Sequence, residues 1–241
     1  MSVEDFKKLV TESKNIVFFG GAGVSTESNI PDFRSETGIY SGSGFRFAPE
    51  VMLSHEFFYT HPKEFYQFYF EKLVYPDAEP NAAHLALAEL ERQGILRAVI
   101  TQNVDGLHQK AGSRIVLELH GSALRNTCTR CGKKVNLDFM LRFRPGVPTC
   151  ECGGIVRPDI VLYGEGLDAD VVDASVRAIS LADLLIVGGT SLVVYPAAGL
   201  IRYFRGRNLV LINRDRTDYD DSAALVFHDS IGKILSQVVA K

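Results

Sequence analysis

Four short segments that are apolar almost throughout constrain the fold more than any other feature of this chain. They are residues 16–19, 98–101, 184–187 and 209–212. Apolar strands without alternation belong to a sheet that is covered on both faces, and such sheets are usually parallel. Helical stretches separate the four segments, so the pattern predicts an α/β fold with a Rossmann-like, doubly wound parallel sheet.

Three of the intervening stretches are expected to be helices. Asn81 is a suitable N-cap for a helix through about Gln93, whose apolar side is expected to include Leu85, Ala88 and Leu90. A second helix is predicted over residues 168–181 and a third over residues 196–204.

Two segments interrupt this alternation of strand and helix. Residues 37–80 are rich in aromatic side chains and contain no clear buried strand, whereas residues 124–156 hold all four cysteines together with turn-forming Gly and Pro. We expect a helical insert and a metal-binding module, which together form a small inserted domain. The large domain is then expected to comprise residues 1–36, 81–123 and 157–241.

Composition excludes several classes of function. The 241 residues are 46% hydrophobic and carry a formal charge of −3, which gives no reason to expect a specific nucleic acid or a membrane as partner. The N-terminus lacks the layout of a signal peptide, and no apolar run approaches the roughly 20 residues that span a bilayer. A cytoplasmic location is therefore expected, where clustered cysteines bind metal more often than they form disulfides.

The cysteines have the spacing of a structural zinc site. Cys128 and Cys131 are separated by two residues, and Cys150 and Cys152 follow after eighteen more with the tighter spacing of one. Four thiolates leave no coordination position for water, so one structural zinc ion per chain is expected. Disulfides or free thiols are the alternatives, and the tight second pair makes Cys150 the least secure ligand.

The segment 16–25 predicts a strand, a glycine turn and then a helix. Such a turn lets the backbone approach a pyrophosphate, whose charge is favoured at a helix N-terminus. The spacing of Gly20, Gly21 and Gly23 is not the usual GxGxxG, and no acidic residue stands clearly where it would bind an adenine ribose. A purely structural tight turn therefore remains an alternative on this evidence.

Longer motifs resemble one known family. Residues 21–35 read GAGVSTESNIPDFRS, and residues 101–108 read TQNVDGLH; LHGS, PDIVLYGE, GGTS and Asn213 follow in order. Over nearly its whole length the chain resembles the sirtuins, in particular the bacterial-type NAD-dependent protein deacetylases. The resemblance implies transfer of an acetyl group from lysine in a protein to NAD, which gives free lysine, nicotinamide and O-acetyl-ADP-ribose.

The resemblance also implies a set of site residues. Phe33 would shield the nicotinamide pocket, Arg34 would contact the cofactor, and Asn103 and Asp105 would hold the nicotinamide ribose and carboxamide. Asn213 would contact the adenine ribose, and Ile231 the adenine. The full set of cofactor-binding residues implied is Gly21, Ala22, Gly23, Thr26, Asp32, Phe33, Arg34, Gln102, Asn103, Val104, Asp105, His120, Gly189, Thr190, Ser191, Asn213 and Ile231.

His120 is the expected general base, with Asn103 as the second catalytic residue. In the sirtuin reaction a ribose hydroxyl must lose a proton to attack the imidate carbon, and an imidazole accepts a proton near neutral pH. His120 follows the apolar run at 115–119 and matches the family's His-Gly pair. His84 and His108 are expected to serve in packing or capping.

The peptide would bind between the two domains, according to the same resemblance. Val161, Leu162, Tyr163, Gly164 and Glu165, with Leu192, Val193 and Val194, match segments that pair with an extended substrate, a mode that reads backbone more than side chains. Tyr66 and Tyr69 stand where sirtuins that favour acidic acyl groups carry Tyr-x-x-Arg. Without that arginine a succinyl carboxylate would be buried unpaired, so acetyl and other uncharged groups are favoured.

Two other functions are compatible with many of these residues. Some sirtuins transfer ADP-ribose to protein, but that reaction needs no ribose hydroxyl to attack an imidate, so the presence of His120 favours deacetylation. A non-catalytic NAD-sensing module would be free to lose Asn103, Asp105 and His120, all of which are present.

Overall fold

The computed structural model describes residues 2–33, 35, 38–40 and 44–239, which form two sheets and the helices around them. The strands are β1 (Ile16–Gly20), β2 (Leu96–Thr101), β3 (Val116–Glu118), β4 (Gly121–Cys128), β5 (Lys134–Asn136), β6 (Val156–Ile160), β7 (Leu184–Gly188), β8 (Asn208–Ile212) and β9 (Leu225–Phe227). The α-helices are α1 (Val3–Glu12), α2 (Pro49–Met52), α3 (His55–Thr60), α4 (Pro62–Lys72), α5 (Ala82–Arg92), α6 (Leu107–Lys110), α7 (Leu137–Leu141), α8 (Ala169–Leu181) and α9 (Ile231–Val239).

The larger sheet is parallel, with the strand order β3-β2-β1-β7-β8-β9. The four apolar segments of the sequence are β1, β2, β7 and β8, so the predicted Rossmann-like sheet is confirmed. β1 lies in the middle of the sheet, and β2 and β3 are added on one side of it. The chain then crosses to the other side of β1, where β7, β8 and β9 follow. Ligands of such sheets bind beyond the carboxyl ends of the strands where this reversal occurs.

Helices cover both faces of the parallel sheet. On one face α1, α5 and α9 pack around Phe6, Phe18 and Leu87. On the other, α8 packs with a 3-10 helix (Ala197–Tyr203), which lies where an ordinary helix was expected at 196–204. The predicted cap of α5 is confirmed, because Asn81 accepts a hydrogen bond from the amide of Ala83. The predicted helix at 168–181 is α8, and its N-cap is Asp168, which accepts from the amides of Asp170 and Val171.

The small inserted domain has two parts that share one core. Helices α2–α4 come from the first insertion, and the antiparallel sheet β5-β4-β6 with α7 comes from the second. Pairing of β4 with β6 runs from Gly121 to Ile160, a few residues beyond the insertion expected from the sequence. Aromatic side chains of α4 fill the core, and the Tyr66 hydroxyl donates to the carbonyl of Val156, which joins the two parts.

Within the described part of the chain, every helix is too short or too polar to cross a bilayer.

Candidate active site

A cavity of about 450 Å³ lies at the carboxyl ends of the central strands, between the two domains. β1 leads into Gly21, β2 into Gln102, β7 into Gly189 and β8 into Asn213. Every described residue of the implied cofactor set lines this cavity: Gly21, Ala22, Gly23, Thr26, Asp32, Phe33, Gln102, Asn103, Val104, Asp105, His120, Gly189, Thr190, Ser191, Asn213 and Ile231. Arg34 lies outside the described residues.

The glycine-rich segment does not lead into an α-helix, contrary to the expectation from the sequence. Two 3-10 turns follow β1 instead, at Ala22–Val24 and Thr26–Ser28. Asn29 adopts a left-handed conformation with φ 61°, which ends the winding before an α-helix can form. The loop therefore lacks the aligned dipoles that a long helix would direct at an anion, and its amides from Gly23 to Ser25 already donate to carbonyls of the protein.

The glycines allow two cofactor loops to pack against each other. The amide of Gly23 donates to the carbonyl of Gly189 at 2.8 Å, and a Cβ at Gly23 would lie 2.8 Å from the Cα of Gly189. A Cβ at Gly189, whose φ is 61°, would lie 2.3 Å from the amide nitrogen of Val24. Either side chain would force the loops after β1 and β7 apart, so the structural role of these glycines accompanies any role in binding.

A chain of hydrogen bonds links the loop after β1 with the loop after β2. The Asn103 amide nitrogen Nδ2 donates to Ser25 Oγ at 3.0 Å, and Ser25 Oγ donates to Asp105 Oδ2 at 2.7 Å. Burial raises the pKa of Asp105, although the hydrogen bonds from Ser25 and from the amide of Leu107 act in the opposite direction. Sequence reasoning missed Ser25; the available signal was a hydroxyl at the end of the glycine segment.

His120 has the geometry of a base with one free nitrogen. Its Nδ1 lies 3.0 Å from the carbonyl oxygen of Gln102, which can only accept, so Nδ1 carries the proton. Nε2 is then the unprotonated nitrogen. Burial lowers the pKa of His120, and the hydrogen bond to Gln102 opposes that shift in part. The neutral, proton-accepting form is therefore the dominant one at neutral pH.

The loop after β8 contributes to the cavity a buried donor without a partner among the described residues. Asn213 Oδ1 accepts from the amide of Thr190 at 2.9 Å, while its Nδ2 has no partner. Buried donors are nearly always satisfied, and a ribose oxygen at this position would satisfy this one. Ile231 lies beside it, 4% exposed. These residues fit the nucleoside half of a dinucleotide.

The two segments implied in peptide binding flank the same cavity but are not strands on their own. Val161 to Glu165 line it, and Tyr163 forms a single parallel bridge with Ser54. In the second segment only Val194 lines the cavity: Val193 is 54% exposed, and the Leu192 side chain packs into the core. Glu165 accepts from Arg157 at 2.5 Å and pairs with His55 at 2.6 Å, which anchors the first segment to the small domain.

Tyr66 and Tyr69, the pair named above for its place in the sirtuin pattern, are not among the residues that line the cavity. Both side chains are fully buried in the small domain, because the apolar side of α4 faces its aromatic core. Lys72, at the end of the same helix, does line the cavity, and its ammonium group lies 3.0 Å from Glu71. The preference for acetyl and other uncharged acyl groups stays a prediction.

The four cysteines form one cluster that fits a zinc ion. Their Sγ atoms all lie within 4.8 Å of one another, with 3.5 Å between Cys128 and Cys152 and 3.8 Å between Cys131 and Cys150. Tetrahedral zinc with bonds of about 2.3 Å requires about 3.8 Å between sulfurs, whereas a disulfide requires about 2 Å. A backbone hydrogen bond from Cys131 lowers the pKa of Cys128, whereas at Cys131 a backbone hydrogen bond from Lys133 is outweighed by the neighbouring thiols, which raise the pKa of Cys131. Cys150 belongs to the cluster despite its tight spacing.

Known proteins share both the sequence and this architecture. The model of the Sir2 family matches residues 21–196. An NAD-dependent protein deacetylase of Clostridium acetobutylicum is 60% identical over 239 residues, with 98% of each chain covered. A Sir2 structure with a p53 peptide and NAD⁺ superposes with a TM-score of 0.85 at 42% identity, covering 99% of this chain and 97% of that one.

A second solved structure pairs the same fold with reaction products. It is a Sir2 protein carrying a histidine-to-alanine substitution, with deacetylated p53 peptide and 3′-O-acetyl ADP-ribose; its TM-score is 0.89 at 41% identity, covering 99% of this chain and 97% of that one. Family pattern, full-length identity and fold agree with the site geometry, and the chain belongs to the Sir2 family.

Proposed function

We propose that this protein is an NAD-dependent protein-lysine deacetylase. It converts an acetylated lysine, NAD and one water molecule to lysine, nicotinamide and O-acetyl-ADP-ribose: the bond between nicotinamide and the ribose breaks, and the acetyl group passes from the lysine nitrogen to a ribose hydroxyl. The observation that carries the proposal is the cavity itself, which gathers the loops after β1, β2, β7 and β8, His120, and the segment Val161 to Glu165. The curated relative named above is a deacetylase that depends on NAD.

NAD, as co-substrate, supplies an activated sugar carbon and a ribose hydroxyl. Phe33 covers the nicotinamide side and excludes water, which would otherwise compete for that carbon. Asn103 orients the nicotinamide ribose, and its hydrogen bond to Ser25 fixes the Asn103 side chain in the rotamer that this requires. His120 removes the proton of the ribose hydroxyl at Nε2, while Nδ1 remains bonded to the carbonyl of Gln102.

The protein substrate binds in the cleft between the domains. The large domain comprises residues 1–36, 81–123 and 157–241, and the small domain comprises residues 37–80 and 124–156. Tyr163 and Val193 lie in the two segments implied in peptide binding and are 40% and 54% exposed, so both are accessible to a peptide. A cytoplasmic location is supported by the four cysteines, which stand as a thiol cluster and not as disulfides.

The test is a single incubation of zinc-loaded protein with an acetyl-lysine peptide, with and without NAD, followed by mass analysis of all products. We expect one deacetylated peptide, one nicotinamide and one O-acetyl-ADP-ribose for each NAD consumed. Addition of ADP-ribose to protein in place of deacetylation would favour the transferase alternative. Binding of NAD without release of nicotinamide would favour a sensing module, and either outcome contradicts the proposal.

A further inference from the structure

Two tyrosines connect the segment that carries Phe33 with the segment that carries the peptide. The hydroxyl of Tyr40 lies 2.8 Å from the hydroxyl of Tyr163, across the cavity that both residues line. Tyr163 is a wall of the proposed peptide cleft and is 40% exposed. We propose that this hydrogen bond couples peptide binding to cofactor binding, an inference that rests on the proposed function.

On the cofactor side, Tyr40 is held directly by the backbone and the ring of Phe33. The amide of Tyr40 donates to the carbonyl of Phe33 at 2.9 Å, and the two rings meet edge to face with centroids 5.5 Å apart. The amide of Ile39 donates to the carbonyl of Asp32 at 2.7 Å, which is a second backbone hydrogen bond between the same two segments. A displacement of the Tyr40 ring is therefore transmitted to Phe33.

On the peptide side, the backbone of Tyr163 is anchored to the small domain. Its amide donates to the carbonyl of Leu53, and its carbonyl accepts from the amide of His55, both at 2.9 Å. These bonds fix the main chain but leave the phenol free to rotate. The hydroxyl contact with Tyr40 is thus the hydrogen bond that sets the direction of this ring.

Coupling follows because each ligand restrains one member of the pair. A peptide along Val161 to Glu165 restricts the Tyr163 ring, and a dinucleotide against Phe33 restricts Tyr40. When one phenol is already fixed, less conformational entropy is lost in fixing the other, so the second ligand binds more tightly. Linkage requires the effect to be equal in both directions. Tyr40 and Tyr163 are positioning residues under this proposal, and neither has a part in the chemical steps.

The experiment measures the affinity of a carbocyclic NAD analogue, which cannot be cleaved, with and without a saturating acetyl-lysine peptide. We expect the peptide to tighten binding in the natural protein, and Tyr163→Phe or Tyr40→Phe to reduce that gain about 2- to 10-fold. The affinity for the NAD analogue without peptide should change less than twofold in both variants, and the peptide is kept saturating for each variant because Tyr163 itself borders the peptide cleft. The double variant should lose no more than either single variant, because one hydroxyl is enough to break the bond.

Tyr195→Phe is the matched control, because Tyr195 lines the same cavity, is 70% exposed and makes no hydrogen bond to a described residue. It should keep the full gain. The inference is overturned if the peptide tightens binding of the NAD analogue as much in Tyr163→Phe and Tyr40→Phe as in the natural protein. It is also overturned if these variants bind the analogue equally more weakly with and without peptide. A parallel assay of deacetylation by the natural protein separates the two claims. Absence of deacetylation refutes the proposed function. Deacetylation without any effect of peptide on the affinity for the NAD analogue refutes only the role of the tyrosine contact.

Discussion

His120 illustrates how one contact assigns a role to a side chain. The carbonyl of Gln102 occupies Nδ1 and leaves Nε2 as the acceptor, the side chain lines the cavity, and burial lowers the pKa of the ring. Five other histidines share the chain, but His84 and His108 are buried outside the cavity, and the remaining three do not line it either. Local contacts therefore separate residues of identical intrinsic chemistry.

Replacing His120 by alanine should abolish deacetylation and spare cofactor binding. Loss of a general base typically lowers the rate by 10²- to 10⁴-fold, and we expect an effect of about that size on kcat. The affinity for NAD should change by less than about threefold, measured by calorimetry without peptide. His61→Ala, at an exposed position outside the cavity, should retain full activity. Deacetylation near the natural rate in His120→Ala would remove this residue as the base.

Asn213→Asp tests the unpartnered donor that follows β8 and is expected to contact the adenine ribose. The aspartate keeps an acceptor for the amide of Thr190 but replaces Nδ2 with a second acceptor, which cannot donate to a ribose oxygen. We expect the NAD dissociation constant to rise about 5- to 50-fold. Asn15→Asp introduces the same charge at an exposed position away from the cavity and should leave the constant unchanged. Equal affinity in both variants would exclude the ribose contact.

Among the elements, the small domain depends most on an ion. Strand β4 ends at Cys128 and β6 begins four residues after Cys152, and Cys128 and Cys150 belong to the same core as the aromatic residues of α4. Four thiolates brought within 4.8 Å repel each other unless a cation lies between them. Loss of zinc should therefore disturb the structure of the small domain as far as the peptide cleft.

Metal analysis of protein purified without chelator should give about one zinc ion per chain. Chelation should unfold the small domain and not merely inhibit the enzyme, seen as loss of amide protection in β4, β6 and α4 before any loss in β1, β7 and β8. Cys150→Ser should lower the zinc content and reproduce this pattern. Protein without zinc that keeps full protection would contradict the assignment.

The central strands could be predicted because each is buried on both faces. All residues of β1 and β7 are buried, so every position must be apolar and the signal is unmistakable. β3 and β9 have three residues each and only partial burial, which is too short a pattern to detect. On α5 the predicted apolar face is wrong at Leu85, which is 54% exposed, because Ala83, Ala86 and Leu87 face the core instead.

The features of the site that could not be predicted from the sequence depend on contacts between residues far apart in the chain. The motifs named most of the residues that line the cavity, but the 3-10 form of the glycine loop accompanies a contact between Ser25 and Asp105, eighty positions apart. The face of α4 was equally hidden, because aromatic residues occur on most of its sides. Burial of Tyr66 and Tyr69 became evident only with the core that surrounds them.

At the scale of the whole molecule, two buried histidines make the stability depend on pH. His84 and His108 are 0% and 1% exposed, their ring centroids lie 4.7 Å apart, and three of their four nitrogens have no partner among the described residues. Burial lowers the pKa of His84 to about 4 and that of His108 to about 3, the latter also because His84 lies beside it. Both rings are neutral in the folded protein.

The free energy of unfolding should fall as the pH decreases below about 6.5. The unfolded chain binds protons at both histidines near pH 6.5, whereas the folded chain binds them only near pH 4 and pH 3, so acid favours unfolding. Each histidine contributes up to about 1.4 kcal/mol per pH unit within its window. Urea titrations between pH 7 and 4.5 measure the slope, which His61→Ala should preserve and His108→Gln should reduce. A flat profile over this range would contradict the prediction.

The contact between Gly23 and Gly189 has a consequence for anyone who wishes to retune the choice of dinucleotide. Each loop is the steric boundary of the other, since a single added carbon at either glycine meets backbone within 3 Å. A larger side chain at Gly23 or Gly189 would displace the other loop before it could contact a phosphate of the dinucleotide. A redesign must therefore rebuild the two loops as a matched pair, across more than 160 positions of sequence.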